Sequence, residues 1–408
     1  GPPGTGKTSI MLKNLVGYWY EQTDENIVIL AYTNRAVDEI CAAISSYSPA
    51  LRKAYLRIGS RYSTAPRFRD RLLSRQTEQI ATRDALRKLI RSHRIIVGTV
   101  ASVANKSELF SLKQFDRVLI DEASQILEPM LVGLLPHFKH FTLIGDHKQL
   151  PAVVVQPPES SQVREKDLQE IGLDNLRNSL FERLYKRCLA NEWSWAYAQL
   201  SHQGRMHRDL MAFPNQFFYE GKLNVLPTDV KAYQRQVAEL PIVPEDAPQG
   251  LSRQLALQRM VFLPTPVDAT SLTRKTNLHE ASLIAELIEC FHNMYARKAS
   301  IGVITPYRAQ IAQIRKVLEQ EELDDEQITI DTVERYQGGA RDIILISLCT
   351  NTRDQLEAMV SLSEEGIDRK LNVALTRARQ HLVVLGNPEL LRENELYHQL
   401  MQHCADLD

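Results

Sequence analysis

Short apolar runs, many of them rich in β-branched residues, alternate along the chain with stretches of helical periodicity. Such runs, when polar residues bound them, are typical of strands buried on both faces of a parallel sheet. The first series lies at 26–32, 94–99, 117–122 and 141–146, and a second begins near 197 and continues at 260–264, 301–306, 328–333, 342–347 and 381–386. The pattern predicts an α/β protein with two doubly wound parallel sheets.

The segment between Glu280 and Tyr295 has the periodicity of an amphipathic helix. Its apolar residues recur at the i, i+3, i+4 and i+7 spacing that places them on one helical face. These residues are Ile284, Leu287, Ile288 and Phe291. We expect this face to cover the second sheet.

The length of 408 residues accommodates two domains of about 200 residues each. We place the first domain at 1–194 and the second at 195–408, with the boundary after a helical stretch that ends near residue 194. Two segments have the composition of insertions. One is a basic segment at 47–94, predicted to be helical, and the other is the proline-interrupted segment 224–259.

The net charge of −1 conceals an uneven distribution. Residues 51–95 contain thirteen Arg or Lys against three acidic residues, so this segment carries +10 and the remainder −11. Such a density suits a phosphate backbone, although charge runs are also typical of solvated helix faces. The charge alone therefore leaves both interpretations open.

The five cysteines are scattered and never form a C-x-x-C pair, which predicts neither a disulfide framework nor a zinc site. We interpret His137 and His140 as surface histidines, since no third metal ligand accompanies them. No apolar run approaches 18 residues, so no membrane partner is expected. The expected compartment is the reducing cytoplasm, or the nucleus if the source is eukaryotic.

The chain opens on a complete G-x-x-x-x-G-K-T phosphate-binding loop rather than an ordinary glycine-rich turn. Its glycines let backbone N–H groups turn toward phosphates, Lys7 reaches the β- and γ-phosphates, and the Thr8 hydroxyl ligates Mg²⁺. The loop predicts a nucleoside triphosphate site formed by Gly1, Pro2, Pro3, Gly4, Thr5, Gly6, Lys7 and Thr8. Because such a loop normally follows a buried strand, we expect the domain's first strand to lie upstream of this sequence.

Two acidic residues, Asp121 and Glu122, end a predicted strand roughly 100 residues after the loop. An aspartate there holds Mg²⁺, and a following glutamate orients or deprotonates the attacking water. Gln149, after the next strand, is suited to sense the γ-phosphate or the water. In the second domain, Arg205 and Arg377 are candidates to neutralise transition-state charge, a structural salt bridge being the alternative for either one.

Ten sequence blocks in order carry a family resemblance: GPPGTGKT, AYTNRAVDEI, VGTVAS, LIDEASQ, GDHKQLPAV, QGRMH, FPNQFFYEGKL, VITPYRAQ, DTVERYQG and NVALTRAR. Over essentially the whole chain they resemble a superfamily 1 helicase of the up-frameshift and replication helicase–nuclease type, in the B subgroup. The resemblance implies two tandem RecA-like domains with ATP hydrolysed between them. It also implies a monomer that translocates 5′ to 3′ along single-stranded DNA or RNA.

The resemblance assigns roles residue by residue. Lys7 and Thr8 match the phosphate and Mg²⁺ ligands, and Asp121 and Glu122 match the metal and base carboxylates. Matches to the γ-phosphate group are Gln149, Arg205 and Arg377, with Gln337 and Gly338 beside them. Implied strand contacts are Thr33, Asn34, Thr99, Ser102, Thr305, Pro306, Tyr307 and Thr332, with segment 51–95 as lining of the nucleic-acid channel. Such groups position a strand without reading its sequence.

Two positions depart from the family pattern. Relatives usually have an aromatic residue before the arginine of QGRMH, where it stacks on the base, and this chain has Gly204. They usually have a glutamate near the ribose, two residues after the YQG glycine, and this chain has Ala340. These departures predict weak discrimination among ATP, GTP and CTP.

A second function also fits the same motifs. An ATP-gated clamp or remodelling scaffold needs the same ATP site and the same strand channel but does not unwind processively. A small-molecule kinase or a GTPase switch shares only the phosphate loop and leaves GDHKQLP and NVALTRAR unexplained. The region upstream is where further domains or sites for protein partners would lie, and the motifs are compatible with both DNA and RNA.

Overall fold

The computed structural model describes residues 1–240, 250–270, 275–323, 327–336 and 339–405. The chain divides into two compact units. The first unit consists of Gly1, Gly6–His147 and Pro151–Leu200, and the second of Pro2–Thr5, Lys148–Leu150 and Ser201–Asp408. The domain boundary near residue 194 stays a prediction.

Five parallel strands form the sheet of the first unit: β1 Ile27–Ala31, β2 Tyr55–Ile58, β3 Ile95–Thr99, β4 Arg117–Ile120 and β5 His140–Leu143. Their order across the sheet is β2-β3-β1-β4-β5. In the register of the central strand, Ile27 of β1 lies opposite Ile95 of β3 and Arg117 of β4. The four strands predicted in this part of the sequence are therefore present.

Strand β1 is fully buried because helices cover both faces of the sheet, as parallel sheets require. Successive side chains alternate between two apolar cores: Val28 and Leu30 face one, and Ile27, Ile29 and Ala31 face the other. The helices of this unit are α1 Lys13–Gln22, α2 Asn34–Ser45, α3 Pro49–Lys53, α4 Leu73–Thr77, α5 Arg83–Ser92, α6 Val100–Ala104, α7 Glu108–Leu112, α8 Pro129–Val132, α9 Lys166–Glu170 and α10 Leu180–Ala190.

Shorter helical turns complete the first unit. A π-helical turn, Lys7–Leu12, precedes α1. The 3₁₀ turns are Arg61–Ser63, Pro66–Arg71, Ala123–Gln125, Leu135–His137, Pro158–Ser161 and Ser194–Ala196.

The basic segment 47–94 differs from the predicted helical insertion in one element. It contains β2, which pairs in parallel with β3 from Tyr55 opposite Ile95 to Ile58 opposite Gly98. All four residues of β2 are buried, the charged Arg57 among them. This is possible because Asp38 of α2 forms an ion pair with the Arg57 guanidinium.

The second unit contains another five-stranded parallel sheet: β8 Met260–Pro264, β9 Ile301–Ile304, β10 Ile328–Asp331, β11 Arg341–Ser347 and β12 Ala378–Gly386. Its order is β10-β9-β11-β12-β8. A separate pair joins β6 His202–Gln203 to β7 Asn224–Val225. The second series is predicted to begin near 197, but residues 197–201 form no strand, and the next strand is the two-residue β6, which among the described strands pairs with β7.

Ten helices surround the described strands of the second unit: α11 Arg208–Phe218, α12 Tyr233–Gln236, α13 Leu251–Leu257, α14 Leu278–Met294, α15 Arg308–Gln320, α16 Val333–Tyr336, α17 Arg353–Met359, α18 Arg369–Leu375, α19 Pro388–Leu391 and α20 Glu395–Ala405. Helix α14 is the predicted amphipathic helix, and Ile284, Leu287, Ile288 and Phe291 are all fully buried. They pack in one core with Val303 of β9 and Leu345 of β11.

The proline-interrupted segment 224–259 contains only the short elements β7, α12 and α13 among its described residues. Pro241, Pro244 and Pro248 lie outside the described residues. Of the helices in the part of the chain that the structure describes, none combines the length and apolar character needed to cross a bilayer.

Two tandem units, each built on a five-stranded parallel sheet with helices on both faces, confirm the predicted α/β fold class. Several predicted site residues, among them Asp121, Thr305 and Thr332, follow the carboxyl ends of strands, where ligands bind in open α/β sheets. Arg377 instead directly precedes β12.

Candidate nucleotide and nucleic-acid sites

The phosphate-binding loop turns into its helix at Gly6, whose φ of 76° lies in the left-handed region. A side chain at this position would also collide with Ile10, since an ideal Cβ would lie 2.9 Å from Ile10 Cδ1. Glycine is therefore favoured here by its backbone conformation, and any other residue would also displace the Ile10 side chain. Lys7, the next residue, donates from Nζ to the Gly1 carbonyl at 2.7 Å, so its ammonium lies along the loop.

The carboxyl end of β4 brings an acidic residue to the phosphate-binding loop. Thr8 Oγ1 donates to Asp121 Oδ2 at 2.6 Å, and the Glu122 backbone N–H donates to Asp121 Oδ1 at 3.0 Å. Burial raises the pKa of Asp121 to about 6, with the neighbouring Glu122 charge adding to the effect. A hydroxyl and a carboxylate at this spacing are the oxygen ligands that Mg²⁺ takes, so the residues present fit this cation.

Glu122 leaves β4 in the left-handed backbone conformation, with φ at 51°. Non-glycine residues adopt this conformation rarely and at an energetic cost, and strained residues of this kind cluster at functional sites. The turn is fixed by the Ala123 N–H, which donates to the Ile144 carbonyl at 2.8 Å. Gln125 Nε2 then donates to the Glu122 carboxylate at 3.1 Å, which orients that side chain.

In the second unit the structure brings together two predicted site residues, Gln149 and Arg377. Arg377 Nη2 donates to Gln149 Oε1 at 3.0 Å, and both side chains are buried. The remaining guanidinium nitrogens donate to backbone carbonyls, Nε to Val373 at 3.0 Å and Nη1 to Gly339 at 3.2 Å. The arginine fork is thus held in one plane and one orientation.

Arg205 lies against the Gly4 backbone, also within the second unit. The Gly204 N–H donates to the Gly4 carbonyl at 2.9 Å, and an ideal Cβ on Gly4 would lie only 2.6 Å from Arg205 Cβ. Gly4 has a φ of 74°, so it needs glycine for conformation as well. Arg205 Nη1 reaches the Thr376 carbonyl at 3.2 Å, one residue before Arg377.

Two buried amides that sequence reasoning did not single out hold the backbone near this site, Gln203 at Arg205 and Asn372 at Lys148. Gln203 Oε1 accepts from the backbone N–H groups of Arg205 and Met206, both at 2.8 Å. Asn372 Nδ2 donates to the Lys148 carbonyl at 2.6 Å and to Tyr219 Oη at 3.0 Å. Both amides fall inside sequence blocks quoted above, which is the one signal that could have identified them.

The predicted strand contacts of the first unit lie at the ends of two adjacent strands, β1 and β3. Thr33 Oγ1 accepts from the Ala36 N–H at 3.2 Å and caps α2, which begins at Asn34. Thr99 Oγ1 accepts from the Ser102 N–H at 3.1 Å and caps α6. The structure therefore brings these four residues to one edge of the sheet, beside the N-termini of two helices.

The predicted contacts of the second unit follow β9 and β10. Thr305 is fully buried, and its hydroxyl has no hydrogen-bond partner among the described residues. Pro306 and Tyr307 come next, and Tyr307 Oη donates to the Gln355 carbonyl at 3.4 Å. The Thr332 N–H donates to Asp331 Oδ1 at 2.9 Å at the end of β10. Gln337 and Gly338, predicted beside the γ-phosphate group, lie outside the described residues.

Residues 176–389 match a protein-family model described as an AAA domain, and residues 67–157 match a second model with the same description. The first match covers just over half of the chain. The sequence blocks, the phosphate-binding loop and the tandem parallel sheets agree with these matches. The chain therefore belongs to the superfamily 1 helicases of the up-frameshift type, which confirms the resemblance seen in the sequence.

Curated relatives carry names of the same kind. The chain is 30% identical over 414 residues to the DNA replication ATP-dependent helicase/nuclease DNA2 of Mus musculus, covering 96% of this chain and 35% of the relative. It is 28% identical over 440 residues to the regulator of nonsense transcripts 1 homolog of Neurospora crassa, covering 100% of this chain and 37% of the relative. The chain thus spans about a third of the length of these relatives.

A third relative is covered more fully. The DNA polymerase alpha-associated DNA helicase A of Saccharomyces cerevisiae is 29% identical over 451 residues, covering 96% of this chain and 62% of the relative. Among solved structures, the arterivirus nonstructural protein 10 helicase aligns at a TM-score of 0.45 and 12% identity, over 98% of this chain and 60% of that chain. A likeness at this TM-score adds nothing to the family assignment.

Proposed function

We propose that this chain is the motor core of an ATP-dependent helicase that moves 5′ to 3′ along single-stranded DNA or RNA. The 2.6 Å contact between Thr8 Oγ1 and Asp121 Oδ2 carries the proposal, because it places two oxygen ligands suited to Mg²⁺ beside each other at the end of the phosphate-binding loop. Membership of the helicase family supports it. The expected cofactors are ATP and Mg²⁺, and the expected site of action is the cytoplasm, or the nucleus in a eukaryote.

The proposed roles follow the chemistry of each group. Mg²⁺–ATP, when bound, supplies the transferred phosphoryl group and a cation that neutralises its charge. Lys7 orients the phosphates, and Glu122 orients and deprotonates the attacking water. Gln149 orients the same water, and Arg205 and Arg377 balance the negative charge that develops on the phosphoryl oxygens. Gln337 and Gly338 remain proposed members of this group.

The proposed nucleic-acid contacts lie at the edges of both sheets. In the first unit, Thr33, Asn34, Thr99 and Ser102 offer hydroxyl, amide and helix N-terminal N–H groups to a phosphate backbone. The basic segment 51–95 adds positive charge in the same unit. In the second unit the proposed contacts are Thr305, Pro306, Tyr307 and Thr332. We expect these groups to bind a single strand with little sequence preference.

ATP turnover is the direct test. The chain is assayed alone, with oligo-dT and with oligo-U, beside Glu122→Gln and the matched control Glu108→Gln. The control makes the same chemical change at an exposed position of the same unit. We expect a single strand to stimulate turnover, Glu122→Gln to lower kcat by at least 100-fold and Glu108→Gln to leave it unchanged. The better polymer identifies the substrate, and turnover that Glu122→Gln does not affect contradicts the proposal.

Strand displacement separates a helicase from an ATP-gated clamp. Two duplexes are compared, one with a 5′ overhang and one with a 3′ overhang. Release of the strand from the 5′-tailed duplex alone supports 5′ to 3′ translocation. ATP turnover without release from either duplex favours the clamp, and release from the 3′-tailed duplex alone reverses the proposed polarity.

We also propose that the chain discriminates weakly among ATP, GTP and CTP. The structure supports this at Gly204, where an ideal Cβ would lie 2.8 Å from Leu226 Cδ1, so that a stacking aromatic side chain would require Leu226 to move. Ala340 likewise offers no carboxylate to a ribose. We expect kcat/KM values for the three nucleotides within about tenfold of each other, which is about 1.4 kcal/mol. A preference for ATP of more than 100-fold contradicts this.

A further inference from the structure

Lys148, the residue before Gln149, is held by its side chain and by its backbone. Its Nζ lies 2.6 Å from Glu220 Oε1, and the side chain is only 13% exposed. Its carbonyl accepts from Asn372 Nδ2 at 2.6 Å. A lysine in an incidental surface ion pair is ordinarily largely solvated, and its side chain and its backbone are not both held by other residues. Lys148 differs in both respects.

The groups that hold Lys148 are themselves connected to each other. Asn372 Nδ2 also donates to Tyr219 Oη at 3.0 Å, and Tyr219 directly precedes Glu220. The contacts therefore form a closed ring: Lys148 carbonyl, Asn372, Tyr219, Glu220 and Lys148 ammonium. A ring of this kind restrains both the position and the rotation of the peptide that it contains.

The turn that presents Glu220 is rigid in its own right. Glu220 has a φ of 56° and Gly221 one of 72°, two consecutive residues in the left-handed region after α11. The Gly221 N–H donates to the Asn215 carbonyl at 2.9 Å, which closes the end of the helix. Hydrogen bonds from Lys148 and Lys222 lower the pKa of Glu220 to about 2, so its carboxylate stays charged across the neutral range.

The residue after Lys148 is Gln149, whose Oε1 accepts from Arg377 Nη2 at 3.0 Å. Asn372 and Arg377 lie at α18 and just after it, so one helix supplies contacts to both Lys148 and Gln149. We propose that the Lys148–Glu220 ion pair is a positioning device that holds Gln149 in register with Arg377 for ATP hydrolysis. This inference rests on the proposed function, because Gln149 needs a register only if it acts on the phosphoryl group.

Lys222 provides a matched control. It also contacts the Glu220 carboxylate, but its side chain is 55% exposed and it does not adjoin Gln149 in the chain. Lys148→Met and Lys222→Met therefore remove the same charge from the same carboxylate, and only the first releases the Gln149 peptide. Glu220→Gln is the complementary change, and the double variant Lys148→Glu with Glu220→Lys restores the pair with reversed charges.

Hydrogen exchange tests the positioning without any catalysis. In the nucleotide-free chain, we expect the peptide covering 145–152 to exchange at least threefold faster in Lys148→Met and Glu220→Gln than in wild type. Lys222→Met is expected to match wild type, and the reversed pair to return close to it. Equal exchange in all variants overturns the inference, and this result does not depend on whether the chain hydrolyses ATP.

ATP kinetics test the functional consequence. We expect Lys148→Met and Glu220→Gln to lower strand-stimulated kcat about tenfold, because a misplaced catalytic group costs rate rather than binding. KM for ATP and Tm are expected to stay near the wild-type values, and Lys222→Met to keep full kcat. An unchanged kcat, or a loss of kcat in proportion to Tm, overturns the inference. Absence of turnover in wild type itself refutes the proposed function instead, and hydrogen exchange then decides the positioning question separately.

Discussion

The ion pair between Asp38 and Arg57 offers the sharpest test of how the first unit is stabilised. The Arg57 side chain is 0% exposed and that of Asp38 19% exposed. The other acceptors near the guanidinium are distant, with Cys41 Sγ at 3.8 Å and the Asn34 carbonyl at 3.5 Å. Arg57 Nε is buried and has no hydrogen-bond partner among the described residues. The Asp38 carboxylate therefore supplies most of the compensation for this buried charge.

Asp38→Asn keeps the size of the side chain and removes its charge. Arginine is not deprotonated in proteins, so the substitution leaves a buried positive charge without its counter-charge. Breaking a buried ion pair in this way costs about 3–5 kcal/mol. Because Asp38 retains some exposure, we expect the lower end, about 3 kcal/mol of unfolding free energy. At an m-value of about 3 kcal/mol/M, the urea midpoint should fall by about 1 M.

Tryptophan fluorescence reports this unit selectively, because Trp19, Trp193 and Trp195 all belong to the first unit. The matched control is Glu39→Gln, the same type of change at the next residue. Glu39 pairs with Arg35 at 3.4 Å on the surface, with side chains 51% and 62% exposed, and is expected to contribute under about 0.5 kcal/mol.

The reasoning is refuted if the urea midpoint of Asp38→Asn matches that of Glu39→Gln. A second variant checks the cause of the loss. Asp38→Leu combined with Arg57→Met removes both charges and leaves an apolar pair, which should recover most of the stability. Failure of this double variant to exceed Asp38→Asn would mean that packing around Arg57, and not its charge, determines the cost.

Three further outcomes are expected. Burial raises the pKa of Glu280 to about 7. Unfolding therefore releases a proton between pH 4.5 and 7, and the unfolding free energy falls by roughly 3 kcal/mol as the pH rises through that window. Glu280→Gln should remove that slope in urea titrations followed by circular dichroism, and an unchanged slope contradicts the assignment. Gly98→Ala should destabilise the first unit by about 1–3 kcal/mol by the fluorescence assay, because its Cβ would lie 3.2 Å from the Ile58 carbonyl oxygen. Thiol titration of the native chain should show no more than two fast cysteines, Cys188 and Cys290, since the other three are buried, and five in urea.

The sequence predicted most strands because each one is an uninterrupted apolar run, a pattern that burial on both faces of a parallel sheet requires. Strand β2 escaped prediction for the opposite reason. Its four residues include Arg57 and lie in the most basic part of the chain, so local composition favours a solvated helix. Only the distant Asp38 makes burial of that charge possible, and a contact between residues 19 positions apart leaves no local pattern.

The residues of the candidate site also divide into those that the sequence could predict and those that it could not. Thr8 and Asp121 could be predicted because the chemistry of phosphate binding prescribes their residue types. The chemistry of phosphate binding prescribes neither Asn372 nor Lys148, which meet through an amide and a backbone carbonyl, and only their place inside the sequence blocks marks them.

The strand order of the first sheet also has a consequence during synthesis on the ribosome. β1 is synthesised before the other four described strands of its sheet, yet it lies between β3 and β4, which begin only at Ile95 and Arg117. At about 5–20 residues per second, its five apolar residues wait roughly 5–20 s for both partners to emerge. The nascent chain therefore carries this apolar strand for seconds before β3 and β4 are available to pair with it, an interval in which chaperone binding would protect it from aggregation.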